Sequence, residues 1–242
     1  MTALLLLLIL VADPKTDESQ TARAVVEKAI AALGGAEAVR ASHRMTGTGS
    51  GTLHVNAASQ KIRNRFSAQG LDRLRWEVEI NGSTILIGLH AKGVWLSGNG
   101  IDAKPLKDDQ ATAFRRGVAA LRVVECPTLL LEKGWTLAPL GELKIDDTPA
   151  IGIKASRKGE PDLDLWFDAK THLPLRVEYR FTKPGETAET SLRGTFSEYR
   201  KMAGRKHFTK MSVYQDGNLA LEMERSEIEN AESFAEETFA RP

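Results

Sequence analysis

The chain predicts an α+β fold in which a strongly curved antiparallel sheet, an incomplete barrel of about eleven strands, carries helices packed in its concave face. Three observations carry this reading. From Leu163 to Ile228 apolar and charged side chains alternate through several successive segments, as in Leu163, Leu165 and Phe167 against Asp162, Asp164, Trp166 and Asp168. A period of two is the spacing of one strand face, and alternation between apolar and polar marks an antiparallel sheet with one covered and one wetted side. The strand count exceeds what a flat open sheet supports before it curls. Finally, two segments switch to helical period with one apolar stripe each, and a hollowed sheet supplies the surface those stripes need.

Taken in order, Ala3 to Val11 is an unbroken apolar run that ends at Ala12 before Asp13-Pro14-Lys15-Thr16-Asp17-Glu18. It is shorter than the roughly 20 residues a membrane span requires, so residues 1–12 read as a signal peptide and 13–242 as one exported domain. Thr21 to Leu33 reads as an amphipathic helix, with Ala22, Val25, Val26, Ala29, Ile30 and Leu33 on one stripe and Gly34-Gly35 as its exit. A strand follows in which Met45, Gly47, Gly49, Gly51, Leu53 and Val55 share a face. These glycines lack the Lys-Ser/Thr ending and following helix of a phosphate loop, so they are read as room for bending or close approach.

Ile62 to Ala68, Leu74 to Ile80, Thr84 to Leu89 and Val94 to Leu96 continue the meander, and Asn81-Gly82 is its clearest hairpin turn. From Asp108 to Val124 the apolar positions Ala111, Phe114, Val118, Leu121 and Val124 recur at helical spacing, behind two acids that suit a helix start. This is a helical insert near 105–135, with Arg115, Arg116 and Arg122 read as its solvated side. Strands resume at Leu143 to Ile145, Ala150 to Ala155, Leu163 to Phe167, Leu173 to Phe181, Leu192 to Tyr199, His207 to Tyr214 and Leu219 to Ile228, the last two joined at Asp216-Gly217.

Composition narrows the function. Lysine and arginine number 33 against 32 acids, a net charge of +1, which argues against general nucleic-acid binding. The lone Cys126, among Val123, Val124, Leu129 and Leu130, reads as a small buried apolar residue. Histidines at 43, 54, 90, 172 and 207 are scattered, Ser50 lies outside a nucleophile elbow, and Asp162, Asp164 and Asp168 read as solvated carboxylates. The expectation is therefore a protein without catalysis, metal or cofactor.

One stretch carries a resemblance. Trp166-Phe167-Asp168-Ala169-Lys170-Thr171-His172-Leu173-Pro174-Leu175-Arg176-Val177-Glu178 resembles the D-x-x-T-x-L-P hairpin of the LolA-like outer-membrane lipoprotein-sorting family. Phe196 to Arg200, Gly204, Met211 to Tyr214, Asp216-Gly217, the helix ending Ala32-Leu33-Gly34-Gly35, the glycine-alternating strand and the tail Phe234 to Pro242 are similar to other parts of that family. The resemblance implies an incomplete barrel closed by helices, whose apolar hollow holds acyl chains in a protein of the periplasm or cell envelope.

The partner expected is thus a lipid or an acylated lipoprotein, with transient membrane contact. The candidate lining is Leu74, Trp76, Val78, Ile80, Leu163, Leu165, Phe167, Leu175, Val177, Met211, Val213 and Met223. The competing reading is that these residues fill a core beneath the helices. Should a lipid enter near Trp76, Trp95 or Trp166, indole emission reports it. The alternative function is an envelope sensing module that holds a partner protein through a sheet edge or the same hollow. A hydrolytic enzyme ranks below both.

Overall fold

A computed structural model describes residues 14–55, 58–91, 93–98, 101–182 and 188–242. The signal segment expected at 1–12 lies outside them. Two meanders make up the sheet. The first runs through β1 (Arg44–Val55), β2 (Ala58–Gln69), β3 (Arg73–Ile80), β4 (Ser83–His90), β5 (Gly93–Gly98) and β6 (Ile101–Pro105). The second runs through β7 (Trp135–Ile145), β8 (Thr148–Arg157), β9 (Leu163–Asp168), β10 (Pro174–Thr182), β11 (Glu189–Met202), β12 (Arg205–Gln215) and β13 (Asn218–Asn230). They join where β1 pairs with β13, giving a single sheet of 13 strands in the order β6-β5-β4-β3-β2-β1-β13-β12-β11-β10-β9-β8-β7.

That order dictates the curvature. Consecutive strands β6 and β7 lie at opposite edges, so the chain between them must travel from one edge to the other. At about 4.8 Å per strand, 13 flat strands would separate the edges by nearly 60 Å. The connection is built on one helix, α3 (Asp108–Glu125), whose 18 residues reach only about 27 Å, followed by a 3₁₀ turn at Pro127–Leu131. The sheet curls to match and remains open. On the inside α3 packs on β5 at one limb and on β10 at the other.

The remaining helices cover the second limb. In α1 (Pro14–Leu33), Ala22, Val26, Ala29, Ile30 and Leu33 are buried against β7, β8, β12 and the 3₁₀ turn. The helix begins seven residues before the Thr21 predicted from its apolar stripe. After it Gly34, at φ +126°, lies so close to β12 that a Cβ would stand 2.9 Å from that of Arg205. The short α2 (Ala36–Ala41) then turns the chain into β1. At the far end, Phe239 is buried on the outer face, where its carbonyl accepts the Trp95 indole N–H at 3.0 Å.

Two sequence expectations need correcting. Among the described residues the strands number 13 rather than about eleven. Ile-Asp-Ala-Lys-Pro in β6 is too short to show alternation, and β7 starts at Trp135 rather than Leu143 because Pro139 and Gly141 shift the register that alternation relies on. The other concerns Arg122, which is 2% exposed and not solvated. The last turns of α3 are enclosed on every side, with Ala120, Arg122, Val123, Val124 and Glu125 all buried.

Candidate functional site

Where α3 spans the curve it does not fill it. A cavity of about 360 Å³ remains between Ala113, Phe114, Gly117, Val118 and Leu121 of the helix and the concave sheet face. Phe66 and Ala68 of β2, Leu74 and Trp76 of β3, Val177 and Tyr179 of β10, Leu192 and Phe196 of β11, Met211 and Val213 of β12, and Leu221 and Met223 of β13 complete its apolar wall.

The central strand β1 contributes no lining side chain, and its alternate glycines show why. Gly47 faces Phe66, Gly49 faces Asn64 and Arg225, and Gly51 faces Ile62 and Met223. A Cβ on Gly47 would stand 2.6 Å from the Phe66 ring, and one on Gly49 or Gly51 would overlap the carbonyl oxygen of Glu224 or Glu222. The glycines let β13 and the Phe66 ring close over β1, as the reading of close approach expects.

Of the predicted lining, Leu74, Trp76, Val177, Met211, Val213 and Met223 converge on this cavity from four strands. The others lie elsewhere. Leu163, Leu165 and Phe167 of β9 are buried in the packed core that also holds Val26 and Ile30 of α1 and Leu129 and Leu130 of the 3₁₀ turn. Val78 and Ile80 form a neighbouring cluster with Ile62, which Met223 also joins. Leu175 is half-buried at an irregularity in the pairing with β9 between Pro174 and Arg176, so it falls out of phase with Val177 and Tyr179. Of the three tryptophans singled out as reporters, Trp76 alone lines the cavity.

The floor is charged, which alternation did not reveal. Glu125 accepts from Arg122 at 2.6 Å and pairs with Arg225, and each of the three side chains is at most 8% exposed. Arg122 also donates to the carbonyls of Gly70 at 2.9 Å, Ser42 at 3.0 Å and His43 at 3.2 Å. The Arg225 guanidinium stands over Phe208 at 4.1 Å and Phe66 at 5.4 Å from the ring centroids. Behind this group Arg205 donates to the Ser42 hydroxyl at 2.8 Å, and the Cys126 thiol donates to the Ser42 carbonyl at 3.3 Å.

Electrostatics follow from this placement. Burial pushes the Glu125 carboxyl up, but Arg225 and Arg122 outweigh it and hold the group at about 2. Burial lowers His43 to about 4 and His207 to about 3, with neighbouring arginines acting in the same direction. Three buried arginines, Arg122, Arg205 and Arg225, thus stand around one buried carboxylate.

Two signals for this floor exist in the sequence. Arg122 and Glu125 are spaced i,i+3, the separation at which helical side chains meet. Arg225 falls in phase with Leu221 and Met223, on the apolar face of its strand.

Other hollows are different in kind. One of about 660 Å³ is walled by Lys61, Arg63, Glu79, Lys210, Glu222 and Glu224 and shares only Met211 and Met223 with the apolar cavity. Asp168 is used locally, its carboxylate accepting the backbone N–H groups of Lys170 at 2.8 Å and Thr171 at 2.7 Å to close the β9–β10 turn. Among the described residues no three His, Cys, Asp or Glu side chains gather as a metal-binding group.

No protein-family model matches the chain, and no curated protein matches it by sequence. Solved structures do. A structure named for an outer membrane lipoprotein-sorting protein domain of Vibrio parahaemolyticus is 14% identical with a TM-score of 0.59, covering 91% of this chain and 97% of that one. A LolA superfamily protein of Nitrosomonas europaea is 13% identical with a TM-score of 0.58, covering 90% of this chain and 97% of that one. A DUF1329 family protein of Desulfovibrio piger is 14% identical with a TM-score of 0.56, again over 90% and 97%. The protein has the fold of lipoprotein-sorting proteins, along nearly the whole length of both chains.

Proposed function

We propose that this is a non-catalytic protein of the periplasm or cell envelope that binds lipid, or the acyl chains of lipoproteins, in the cavity under α3 and carries them between membranes. The observation that carries the reading is the apolar hollow of about 360 Å³ between helix and sheet. Its size falls within the range of about 300 to 1,000 Å³ usual for ligand sites. Burying an alkyl chain contributes about 0.8 kcal/mol per methylene, so 14 to 16 methylenes supply on the order of 10 kcal/mol against the cost of association. No catalytic group is needed for that gain. The fold shared with lipoprotein-sorting proteins supports the same role and location.

Gly117 provides the test. It lines the cavity from α3, and a Cβ there would meet only the Tyr179 hydroxyl at 3.5 Å. Gly117→Leu favours the helix and fills the hollow. Lipid extracted from the purified wild type should be identified by mass spectrometry, and a fatty acid should shift Trp76 emission. Both signals should fall at least tenfold in Gly117→Leu while its thermal unfolding is retained. A wild type that carries no lipid and gives a flat titration refutes the proposal, as does undiminished binding by the variant. The second reading, a module that captures an envelope protein, is favoured by the two open sheet edges at β6 and β7.

A further inference from the structure

We propose that the cavity takes a free single-chain amphiphile head first, with an anionic head group seated between Arg225 and Asn64 and the alkyl chain running past Trp76 and Phe114. The inference rests on the lipid-binding reading and narrows its ligand.

Geometry comes first. Asn64 on β2, Gly49 on β1 and Arg225 on β13 are direct partners in one row across three adjacent strands. The middle position has no side chain, and Asn64 Nδ2 lies over it, 3.3 Å from where a Cβ on Gly49 would stand, on the side of Arg225. Both line the cavity. Arg225 is 92% buried, given its 8% exposure, and its guanidinium is held between the Phe66 and Phe208 rings. Glu125 engages Nη2, whereas the buried Nη1 has no acceptor. The Trp76 indole N–H donates to Asn64 Oδ1 at 3.4 Å, which leaves the amide nitrogen Nδ2 as a second buried donor without an acceptor. Two unpartnered donors thus line the cavity from one cross-strand row, while the Tyr179 hydroxyl and Arg193 Nε, also without acceptors, belong to other strands of its wall. An oxyanion with two or more oxygens satisfies the two in that row.

Charge agrees with geometry. Arg122, Arg205 and Arg225 are buried around the single carboxylate of Glu125, which leaves an excess of positive charge behind the apolar wall. Glu125 lines the cavity too, but two guanidiniums already neutralise it. Removing charges from water without a partner is costly, and an entering anion offsets that cost.

Orientation and cargo follow. Arg225 is buried whereas Phe114, Trp76 and Leu192 of the same lining are partly exposed, so a head group bound at Arg225 enters before the tail. An acyl chain tethered to a lipoprotein can only enter tail first, which makes a free amphiphile the ligand. The cavity volume, near the lower end of the ligand-site range, suits one chain.

The experiment titrates the full protein with laurate, dodecyl phosphate and dodecanol, followed by Trp76 emission and calorimetry. Charge-assisted hydrogen bonds should make at least one anion bind about tenfold or more tighter than the alcohol, and comparison of the two anions separates carboxylate from phosphate. Arg225→Met should abolish the preference for either anion over dodecanol. Asn64→Leu, which leaves the ion cluster intact, should reduce it several-fold and decides the matter should Arg225→Met fail to fold. Equal affinity of wild type for acid, phosphate and alcohol overturns the head-first inference and leaves the lipid-binding reading standing. A preference lost in Arg193→Met at the rim instead of in Arg225→Met also overturns it. Failure of all three ligands overturns both.

Discussion

Glu125→Gln isolates the electrostatics of the cavity floor. Glutamine keeps the shape of the side chain and an acceptor oxygen, so it imitates the protonated acid. Its cost at neutral pH can therefore be worked from the titration of the native group. The carboxyl is held at about 2 against an ordinary value of 4.5, and each pH unit of such a difference is worth about 1.4 kcal/mol. The expected loss is about 3 kcal/mol, in line with the roughly 3 to 5 kcal/mol for removing one partner of a buried ion pair. Because the folded value is depressed, this stability is fully present above pH 4.5 and is lost as pH falls through about 2. Urea unfolding of wild type and variant at pH 7, 4 and 2.5 should show a gap that is widest at pH 7 and narrows below 4.5. A variant as stable as wild type at pH 7, or a gap that does not change with pH, refutes the reasoning.

The buried histidines contribute a second acid dependence. His207 is held at about 3, so it binds a proton in the unfolded chain but not in the folded one between pH 6.5 and that value, and stability falls across this window on acidification. His207→Gln should flatten the slope of unfolding free energy against pH there by up to about 1.4 kcal/mol per pH unit, and an unchanged slope counts against the assignment. Gly51→Ala drives a Cβ into the Glu222 carbonyl and the Met223 sulfur. It should lower stability by about 1 to 3 kcal/mol in chemical denaturation, and a neutral result means that β1 and β13 are not so closely apposed.

Much of the sheet was legible because its signals are local. Asn81-Gly82 and Asp216-Gly217 take the positive φ angles that their turns demand, at 50° and 76° and at 49° and 81°. The stripe from Ala111 to Val124 marks α3 within a residue of its true end. What was not legible depends on distant partners. Leu163, Leu165 and Phe167 alternate as cleanly as Met211 and Val213, yet the former belong to the filled core and the latter line the cavity, and only the order of strands decides which. Leu175 shows a further limit, since one irregular residue in a pairing reverses the phase that alternation assumes. Arg122 was misread because a charge on a helix is ordinarily wet, and here its partners are carbonyls nearly 80 residues upstream.

The passage of α3 from one limb to the other separates two jobs that folds often combine. The strands hold one another through their own ladder, while one wall of the chamber consists of the side chains of Ala113, Phe114, Gly117 and Leu121 on one helical face. Trimming or enlarging those four re-bores the chamber without disturbing a single strand pairing. Selection acting on about two and a half turns of helix could fit the same shell to longer, shorter or bulkier guests.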